Sequence, residues 1–168
     1  ICAGGGIFTA GAVNLLREFM QVTDIPVVNT MMGMSSVPAD DPLFYGMIGM
    51  HGVKSANYAI NNCDLLILLG ARVGDRAVTA ISRLEGATVI HIDVDPAEIG
   101  KNLAATIPVV GDVKNILEQL LECVKNYDHY DWKQELSEIK KTQDKPIGNE
   151  PDGCVNPKAF IRLLGQKL

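Results

Sequence analysis

The stretch CDLLILLGARVGDR, residues 63–76, decides the fold. All five residues of Leu65–Leu69 are apolar, whereas a strand with one face in water would alternate apolar and polar residues. The run therefore predicts a central parallel strand that is buried on both faces. A buried helix segment can give a short apolar run of the same kind, and the run alone leaves that alternative open.

Charged residues follow this run at once. Gly70 and Ala71 form a small-residue turn, and then Arg72, Asp75 and Arg76 place three charges within five residues. In open α/β sheets, ligands bind outside the carboxyl ends of the strands. The turn is therefore a candidate binding site. A solvated ion pair at a strand-to-helix turn is the alternative that these residues leave open.

Composition limits the class of protein. The 168 residues suffice for one domain with a sizeable core, and 47% hydrophobic and 21% charged residues are ordinary for a globular protein. The net charge of -5 argues against nucleic acid and anionic membranes as partners. No apolar run approaches the roughly 20 residues that span a bilayer. The first residues lack the basic start of a signal peptide and begin within a strand without Met, which predicts a fragment of a longer chain.

The cysteines are far apart and form no CxxC pair. This spacing argues against a metal site or a disulfide framework and favours reduced thiols in a cytosolic protein. The four residues are Cys2, Cys63, Cys123 and Cys154.

The chain opens as a strand, a glycine turn and a helix. Ile1–Ala3 is the end of a strand, Gly4, Gly5 and Gly6 follow, and Thr9 is a candidate N-cap for a helix. Glycines at such a turn allow backbone N–H groups to approach a phosphate at a helix N-terminus. The triplet is not a G-x-G-x-x-G motif, and a plain tight turn is the alternative.

A long methionine-rich segment follows the second predicted strand, residues 25–30. Residues 31–52 are predicted to be irregular, and loops of this length are usually functional or disordered. Disorder is disfavoured because the segment is rich in Met, Phe and Tyr rather than in charge. It either lines a binding surface or packs over the sheet edge. His51 closes the segment before a predicted short helix, where it is either a ligand contact or a structural residue.

Two further strands end in acidic residues. Residues 88–94 form a predicted strand with Asp93 at its carboxyl end. A carboxylate at this place can hold a ribose hydroxyl. Asp95 with Pro96 can equally start a helix. His91 lies within the strand and is predicted to be structural.

The strand predicted at residues 107–110 leads into the most regular helix. Asp112 is its predicted N-cap, and apolar residues recur at helical spacing, which predicts a buried stripe. The stripe is Val113, Ile116, Leu117, Leu120, Leu121 and Val124.

After residue 126 the chain becomes polar. Residues 127–145 carry a thin apolar stripe of Trp132, Leu136 and Ile139, which predicts a helix across the domain surface. Residues 146–156 are rich in Pro and Gly and predict a linker. Asn156 and Pro157 then start a helix that we expect to belong to the next domain.

Five motifs together resemble a known family. They are GMIGMHG (46–52), AN (56–57), CDLLILLGARVGDR (63–76), HIDVDPAEIGKN (91–102) and IPVVGD (107–112). In order and spacing they resemble the central domain of acetolactate synthase large subunits, which are thiamine-diphosphate-dependent enzymes. The resemblance covers about residues 1–125.

The pattern and the resemblance imply an α/β fold. It is a Rossmann-like parallel sheet of five or six strands with helices on both faces, and the strands are expected near residues 1–3, 26–30, 65–69, 88–93 and 107–110. Residues 1–126 would be an FAD-binding central domain and residues 127–145 a surface helix. Residues 146–168 would be a linker and the start of a thiamine-diphosphate-binding domain.

The resemblance also implies an activity for the full enzyme. Such an enzyme joins two pyruvates, or pyruvate and 2-oxobutyrate, with loss of carbon dioxide, in branched-chain amino acid biosynthesis. FAD would bind this domain without a net redox role, whereas thiamine diphosphate and magnesium would bind outside this chain. The implied enzyme is a cytoplasmic transferase that forms a homo-oligomer and can take a regulatory small subunit. The implied partners of this chain are other domains of the same chain, and neither nucleic acid nor membrane is among them.

Carried over motif by motif, the family's FAD-site residues fall at strand ends and in the two loops around them. The resemblance implies no catalytic or metal-binding residue in this chain. The implied cofactor-binding residues are Gly4, Gly5, Gly6, Thr30, Met31, Met50, His51, Gly52, Gly70, Ala71, Arg72, Asp75, Arg76, Asp93, Val94, Asp112 and Val113.

The sequence departs from the family's pattern at two places. Ser35 stands where the family usually has Gly. Val73-Gly74 stands where the family usually has Phe followed by an acidic or small polar residue. These positions bear on the channel loop and on the flavin-ring contacts, not on the positions nearest the phosphates.

Two other classes of function fit parts of the chain. In some thiamine-diphosphate enzymes, including FAD-free acetolactate synthases, the central domain is a scaffold without a nucleotide. Arg72 and Asp93 at strand ends favour the FAD-binding branch, because a scaffold does not need them. A free-standing NAD-dependent dehydrogenase fits Asp93 but lacks the G-x-G-x-x-G motif and a proton-transfer group.

Overall fold

The structure is a computed structural model that describes residues 1–74, 84, 86–144, 154–165 and 167. The strands are β1 (Cys2–Ala3), β2 (Val27–Asn29), β3 (Phe44–Met47), β4 (Leu65–Leu69), β5 (Thr88–Asp93) and β6 (Ile107–Val110). The helices are α1 (Gly6–Thr9), α2 (Val13–Thr23), α3 (Lys54–Asn62), α4 (Val113–Cys123), α5 (Tyr130–Gln143) and α6 (Pro157–Gly165), with a 3₁₀ turn at Met31–Gly33.

The strands form one six-stranded parallel sheet in the order β3-β2-β1-β4-β5-β6. This order is that of doubly wound dinucleotide-binding folds, in which the chain reverses direction across the sheet between β1 and β4. Ala3 pairs with both Asn29 and Leu69, so the ends of three strands meet at this point. The predicted fold class is confirmed, and β4, β5 and β6 span the predicted residues 65–69, 88–93 and 107–110.

The apolar run of β4 is explained by helices on both faces of the sheet. Leu66 and Leu68 pack into one core cluster with residues of α3 and α5. Ile67 and Leu69 pack into a second cluster with residues of α2 and α4. Because both faces are covered, no position of β4 after Leu65 needs a polar side chain.

The segment 31–52 contains a strand that the sequence did not predict. β3 lies at the sheet edge beside β2, with an irregular register between Val27 and Asn29. Of its residues only Tyr45 is fully buried, and Gly46 has a φ of 100°. A half-buried edge strand with a central glycine shows neither an apolar run nor clear alternation, so the sequence pattern predicts no strand there.

Two predicted helix starts are wrong. Thr9 is the last residue of α1, and its hydroxyl donates back to the Gly5 carbonyl oxygen, so it does not cap α2. α2 begins after Ala12, which makes no side-chain cap. Residues 96–100 form turns rather than a helix, and Asp95 accepts a hydrogen bond from the Ala97 amide at 2.9 Å.

The predicted N-cap and buried stripe of α4 are confirmed. Asp112 Oδ1 accepts hydrogen bonds from the amides of Lys114 at 2.8 Å and Asn115 at 3.3 Å. Val113 and Leu117 are buried, and the other stripe residues pack partly buried against the same core. The helix therefore starts directly after β6, and its first turn lies at the carboxyl edge of the sheet.

α5 lies within residues 127–145, where the sequence predicts a surface helix, and it packs across α3. Leu136 and Ile139 of its stripe are buried. Lys133 pairs with Asp24, and the Tyr58 hydroxyl donates to Glu135. The predicted linker lies mostly outside the described residues, and α6 follows it with Pro157 in its first turn.

Candidate functional site

A large cavity lies outside the carboxyl ends of the strands. Its volume is about 900 Å³, which falls within the usual range of ligand-binding cavities. It spans the place where the sheet order reverses, as expected for a ligand site in this class of fold. The lining residues are Gly5, Gly6, Thr9, Ala10, Thr30, Met31, Met32, Met47, Ile48, Gly49, Met50, His51, Gly70, Arg72, Gly74, Asp93, Val94, Asp112 and Val113.

Close backbone packing accounts for two of the three N-terminal glycines. A Cβ on Gly4 would lie 2.2 Å from the Gly70 carbonyl oxygen, and one on Gly6 would lie 2.7 Å from the Gly70 Cα. The Gly6 amide also donates to the Gly70 carbonyl oxygen at 3.0 Å. The turns after β1 and β4 therefore touch through their backbones, and only glycine allows this contact.

Gly5 differs from its two neighbours. It lines the cavity, and its amide donates to no other group in the described part of the chain. The Gly4 amide, in contrast, donates to the Leu69 carbonyl oxygen at 3.0 Å. Gly5 therefore offers the cavity a backbone donor with the small profile that a bound phosphate requires.

The turn after β4 presents one cation to the cavity. Ala71 and Val73 are buried in the core, so Arg72 between them points outward, where it is exposed and lines the cavity. Within the described ranges Arg72 forms no hydrogen bond or ion pair, so its guanidinium is available to an anionic ligand. Val73 stands where the family usually has Phe. Because Val73 packs in the core and does not line the cavity, this departure changes core packing. Asp75 and Arg76, which were also predicted to bind the cofactor, lie outside the described residues.

Two carboxylates line the other side of the cavity. Asp93 ends β5 and is only 8% exposed, and its Oδ1 accepts from the Asp95 amide at 3.0 Å. Asp112 uses its Oδ1 to cap α4. For both residues, Oδ2 has no hydrogen-bond donor in the described part of the chain and remains available to hydroxyl or amine donors of a ligand.

Exposed methionines form the rim of the cavity. Met31, Met32 and Met50 are each at least 66% exposed, and Val94 is 70% exposed. His51 is also exposed and lies beside Met50. An adaptable apolar rim beside a cation and two carboxylates fits a ligand with both a flat apolar group and a charged group.

Comparison with known proteins identifies the family. The sequence model of the protein family described as the thiamine pyrophosphate enzyme central domain matches residues 1–120 of this chain.

The chain belongs to the thiamine pyrophosphate enzyme central-domain family.

Relatives within this family are similar over the whole length of the chain. It is 42% identical over 172 residues to the probable acetolactate synthase large subunit of Methanocaldococcus jannaschii. This match covers all of this chain and 29% of that protein. It is 41% identical over 165 residues to the acetolactate synthase isozyme 2 large subunit of Escherichia coli K12, covering 98% of this chain and 30% of that protein. The acetolactate synthase of Mycobacterium avium is 40% identical over 170 residues, covering 97% of this chain and 27% of that protein. The chain thus spans less than a third of the length of these relatives.

Within this central-domain fold, most of the predicted site residues converge on one cavity. Of the described ones, all but Gly4, Ala71 and Gly52 line it. Gly4 and Ala71 pack against neighbouring backbone or core, and a Cβ on Gly52 would lie 2.2 Å from the Met47 carbonyl oxygen. These three residues shape the turns instead of facing a ligand.

The cavity also contains residues that the sequence analysis did not select. Met47 ends β3 and Ile48 follows it, so the missed strand explains their omission. Thr9 and Ala10 were missed because α1 was not predicted. β3 lies beside β2 in the parallel sheet, so its carboxyl end lies at the same edge as those of β1 and β2. A predicted β3 would therefore have placed Met47 and Ile48 at the cavity. The added lining residues are Thr9, Ala10, Met32, Met47, Ile48, Gly49 and Gly74.

His91 does not line the cavity. It is 1% exposed within β5, opposite Leu68 of β4. Burial lowers the pKa of His91 because it penalises the charged ring, and the Asp93 and Glu98 carboxylates act in the opposite direction. This placement agrees with the predicted structural role.

Several other features limit the chemistry of the described part of the chain. No group of three or more His, Cys, Asp or Glu residues there could hold a metal ion. None of the described helices is long and apolar enough to cross a membrane. All four cysteines are free, and burial raises the pKa of Cys2 to about 12, so this thiol is unreactive at neutral pH.

Proposed function

We propose that this chain is the FAD-binding central domain of an acetolactate synthase large subunit. The complete enzyme would join two pyruvates, or pyruvate and 2-oxobutyrate, with loss of carbon dioxide in branched-chain amino acid biosynthesis. The observation that carries the proposal is the cavity at the strand ends, which Arg72 and Gly5 both line. Similarity to acetolactate synthases over the whole chain supports it.

The cavity fits FAD in size and in chemistry. Its volume of about 900 Å³ suits a dinucleotide-sized ligand. Arg72 can pair bidentately with a pyrophosphate, and the Gly5 amide adds a neutral donor. Asp93 and Asp112 keep carboxylate oxygens that can accept from ribose or adenine groups, and Met31, Met50 and His51 offer contacts to a flat ring.

FAD would have no net redox role, as the resemblance to acetolactate synthases implies, so the residues of this chain would bind and orient it. Arg72 and Gly5 would hold the phosphate end, and the acids would fix the ribose and adenine end. The methionine rim would exclude water from the ring. Asp75 and Arg76 remain predicted contacts of the same turn.

The rest of the activity would come from other parts of the protein. Thiamine diphosphate and magnesium would bind in domains outside this chain, and residues 146–168 would lead into one of them. Residues 1–126 would form the FAD-binding unit, with residues 127–145 as a helix on its surface. The complete protein would act in the cytoplasm as a homo-oligomer with a regulatory small subunit.

A scaffold domain without a nucleotide is the second candidate, and one observation favours it. Gly4, Gly6 and Gly70 are explained by backbone packing alone, so these glycines do not require a phosphate. The two candidates therefore differ most clearly at Arg72, which forms no hydrogen bond or ion pair within the described residues and is not needed by a scaffold.

The activity part of the proposal is tested with pyruvate, thiamine diphosphate, magnesium and FAD. The complete protein should form acetolactate, and the 168-residue chain alone should form none because it would lack the thiamine diphosphate site. Acetolactate formation by the purified 168-residue chain would refute the domain assignment. Absence of acetolactate from the complete protein would refute the proposed activity.

A further inference from the structure

Three asparagine side chains hold the loops that line the cavity. Each lies on a neighbouring segment and donates to a main-chain carbonyl oxygen of one loop. The pairs are Asn29 with Gly33 at 3.2 Å, Asn57 with Gly49 at 3.0 Å and Asn102 with Val73 at 2.6 Å. The shape of the cavity thus depends on side-chain amides that do not themselves line it.

Asn57 makes two hydrogen bonds to one residue. Its Nδ2 donates to the Gly49 carbonyl oxygen, and its Oδ1 accepts from the Gly49 amide at 2.8 Å. Both peptide groups flanking the Gly49 Cα are therefore held by one half-buried side chain on α3. This double contact fixes the orientation of Gly49, which has a φ of 102°.

Gly49 lies at the centre of the loop that follows β3. Ile48 before it and Met50 and His51 after it all line the cavity. The Gly52 amide closes the turn by donating to the Gly49 carbonyl oxygen at 2.9 Å. Because glycines give this loop a large conformational freedom, a fixed Gly49 determines where Met50 and His51 lie.

We propose that Asn57 is a positioning residue for FAD, which preorganises the loop of residues 48–52 before the cofactor binds. The inference rests on the proposed function, since the ligand of the cavity is taken to be FAD. A loop that is already ordered loses less conformational entropy on binding. The two hydrogen bonds between Asn57 and Gly49, called the clamp below, therefore raise affinity without touching the ligand. Loss of the clamp leaves the contacts of Arg72 in place and loosens those of Met50 and His51.

Two substitutions separate the parts of the clamp. Asn57→Asp keeps the shape and the acceptor for the Gly49 amide, but it replaces the donor with an oxygen that faces the Gly49 carbonyl. Asn57→Ala removes both hydrogen bonds. Asn62→Asp is the matched control, because this exposed residue of the same helix donates only to the Tyr58 carbonyl oxygen within α3.

The test uses the complete protein and three measurements. Hydrogen exchange of a peptide that covers residues 48–52, recorded without FAD, reports the clamp itself. FAD titration and the visible circular dichroism of bound flavin report its effect on the cofactor. We expect both Asn57 variants to exchange faster and to bind FAD about tenfold more weakly with an altered flavin spectrum, because two neutral hydrogen bonds are lost or reversed. Asn62→Asp should match the wild type in all three.

The outcomes separate this inference from the proposed function. If wild type binds FAD and both Asn57 variants bind it equally tightly with the same spectrum, the positioning role is overturned. Unchanged exchange of residues 48–52 in both variants would overturn it as well. If wild type itself binds no FAD, the proposed function fails, and the positioning role fails with it.

Discussion

Ser35 has a backbone conformation that favours glycine. Its φ is 71°, in the turn between the 3₁₀ segment and β3, and the Arg17 side chain donates to the carbonyl oxygen of the next residue, Ser36, at 2.9 Å. A non-glycine residue at positive φ stores strain of about 1 kcal/mol or more. The local backbone therefore suits the Gly that the resemblance implies at this place.

Ser35→Gly should stabilise the chain. We expect the free energy of unfolding in urea to rise by about 0.5–1 kcal/mol, since relief of strain exceeds the added freedom of the unfolded glycine. Ser35→Ala is the control, because it keeps the strained φ and should not stabilise. Equal stability of the Gly variant and the Ala variant would show that Ser35 is not strained.

His91 should make stability depend on pH. Its pKa is lowered from the usual 6.5 by burial, so the unfolded chain takes up a proton at a higher pH than the folded chain does. The stabilisation is complete above pH 6.5 and is lost as the pH falls from 6.5 towards the folded pKa. Over this range the loss approaches about 1.4 kcal/mol per pH unit for one proton.

The comparison with His91→Gln isolates this contribution. Unfolding free energies of both proteins are measured between pH 8 and pH 5, and the slope below about pH 6.5 should be smaller in the variant. Because the two proteins differ at this residue alone, the difference between their slopes reports the contribution of His91. Identical slopes would contradict a lowered pKa at His91.

At the scale of elements, the contact between the turns after β1 and β4 holds the centre of the sheet together. Gly4→Ala would place a Cβ 2.2 Å from the Gly70 carbonyl oxygen. Backbone atoms cannot move aside cheaply, so we expect a loss of about 2–3 kcal/mol or more in unfolding free energy. Gly74→Ala is the control from the segment after β4, because its added Cβ meets nothing within 4 Å among the described residues. A Gly4→Ala variant as stable as wild type would contradict the described crossing.

The strands differed in how far the sequence could predict them. β4 is buried on both faces, and its apolar run predicted its bounds to the residue. β3 lies at the edge with a glycine at its centre, so its position depends on pairing with β2, which no local pattern reveals. Residues 96–100 form turns although Asp-Pro can also start a helix, and tertiary packing decides between the two.

At the scale of the whole molecule, the strand order brings distant residues to one cavity. Gly5, Arg72, Asp93 and Asp112 lie at the carboxyl ends of four different strands, and parallel pairing places all four at the same edge. Their convergence could be predicted because each lies at the end of a recognisable strand. The backbone roles of Gly4 and Gly70 and the clamp by Asn57 could not, since both depend on contacts between segments that are distant in sequence.

The central claim is that the turn after β4 holds the pyrophosphate of FAD. The most direct test is a titration of FAD into the complete wild-type protein and into Arg72→Ala, His51→Ala and Arg17→Ala. Arg17 is the control arginine, because it bonds to the loop at Ser36 and does not line the cavity.

Arg72→Ala should weaken FAD binding by about one to two orders of magnitude, because it removes a charge-assisted hydrogen bond worth roughly 1.5–3 kcal/mol. His51→Ala should cost less, since a neutral contact is weaker, and Arg17→Ala should bind as wild type does. If Arg72→Ala binds FAD as tightly as wild type, the turn does not hold the phosphates, and the scaffold function gains support.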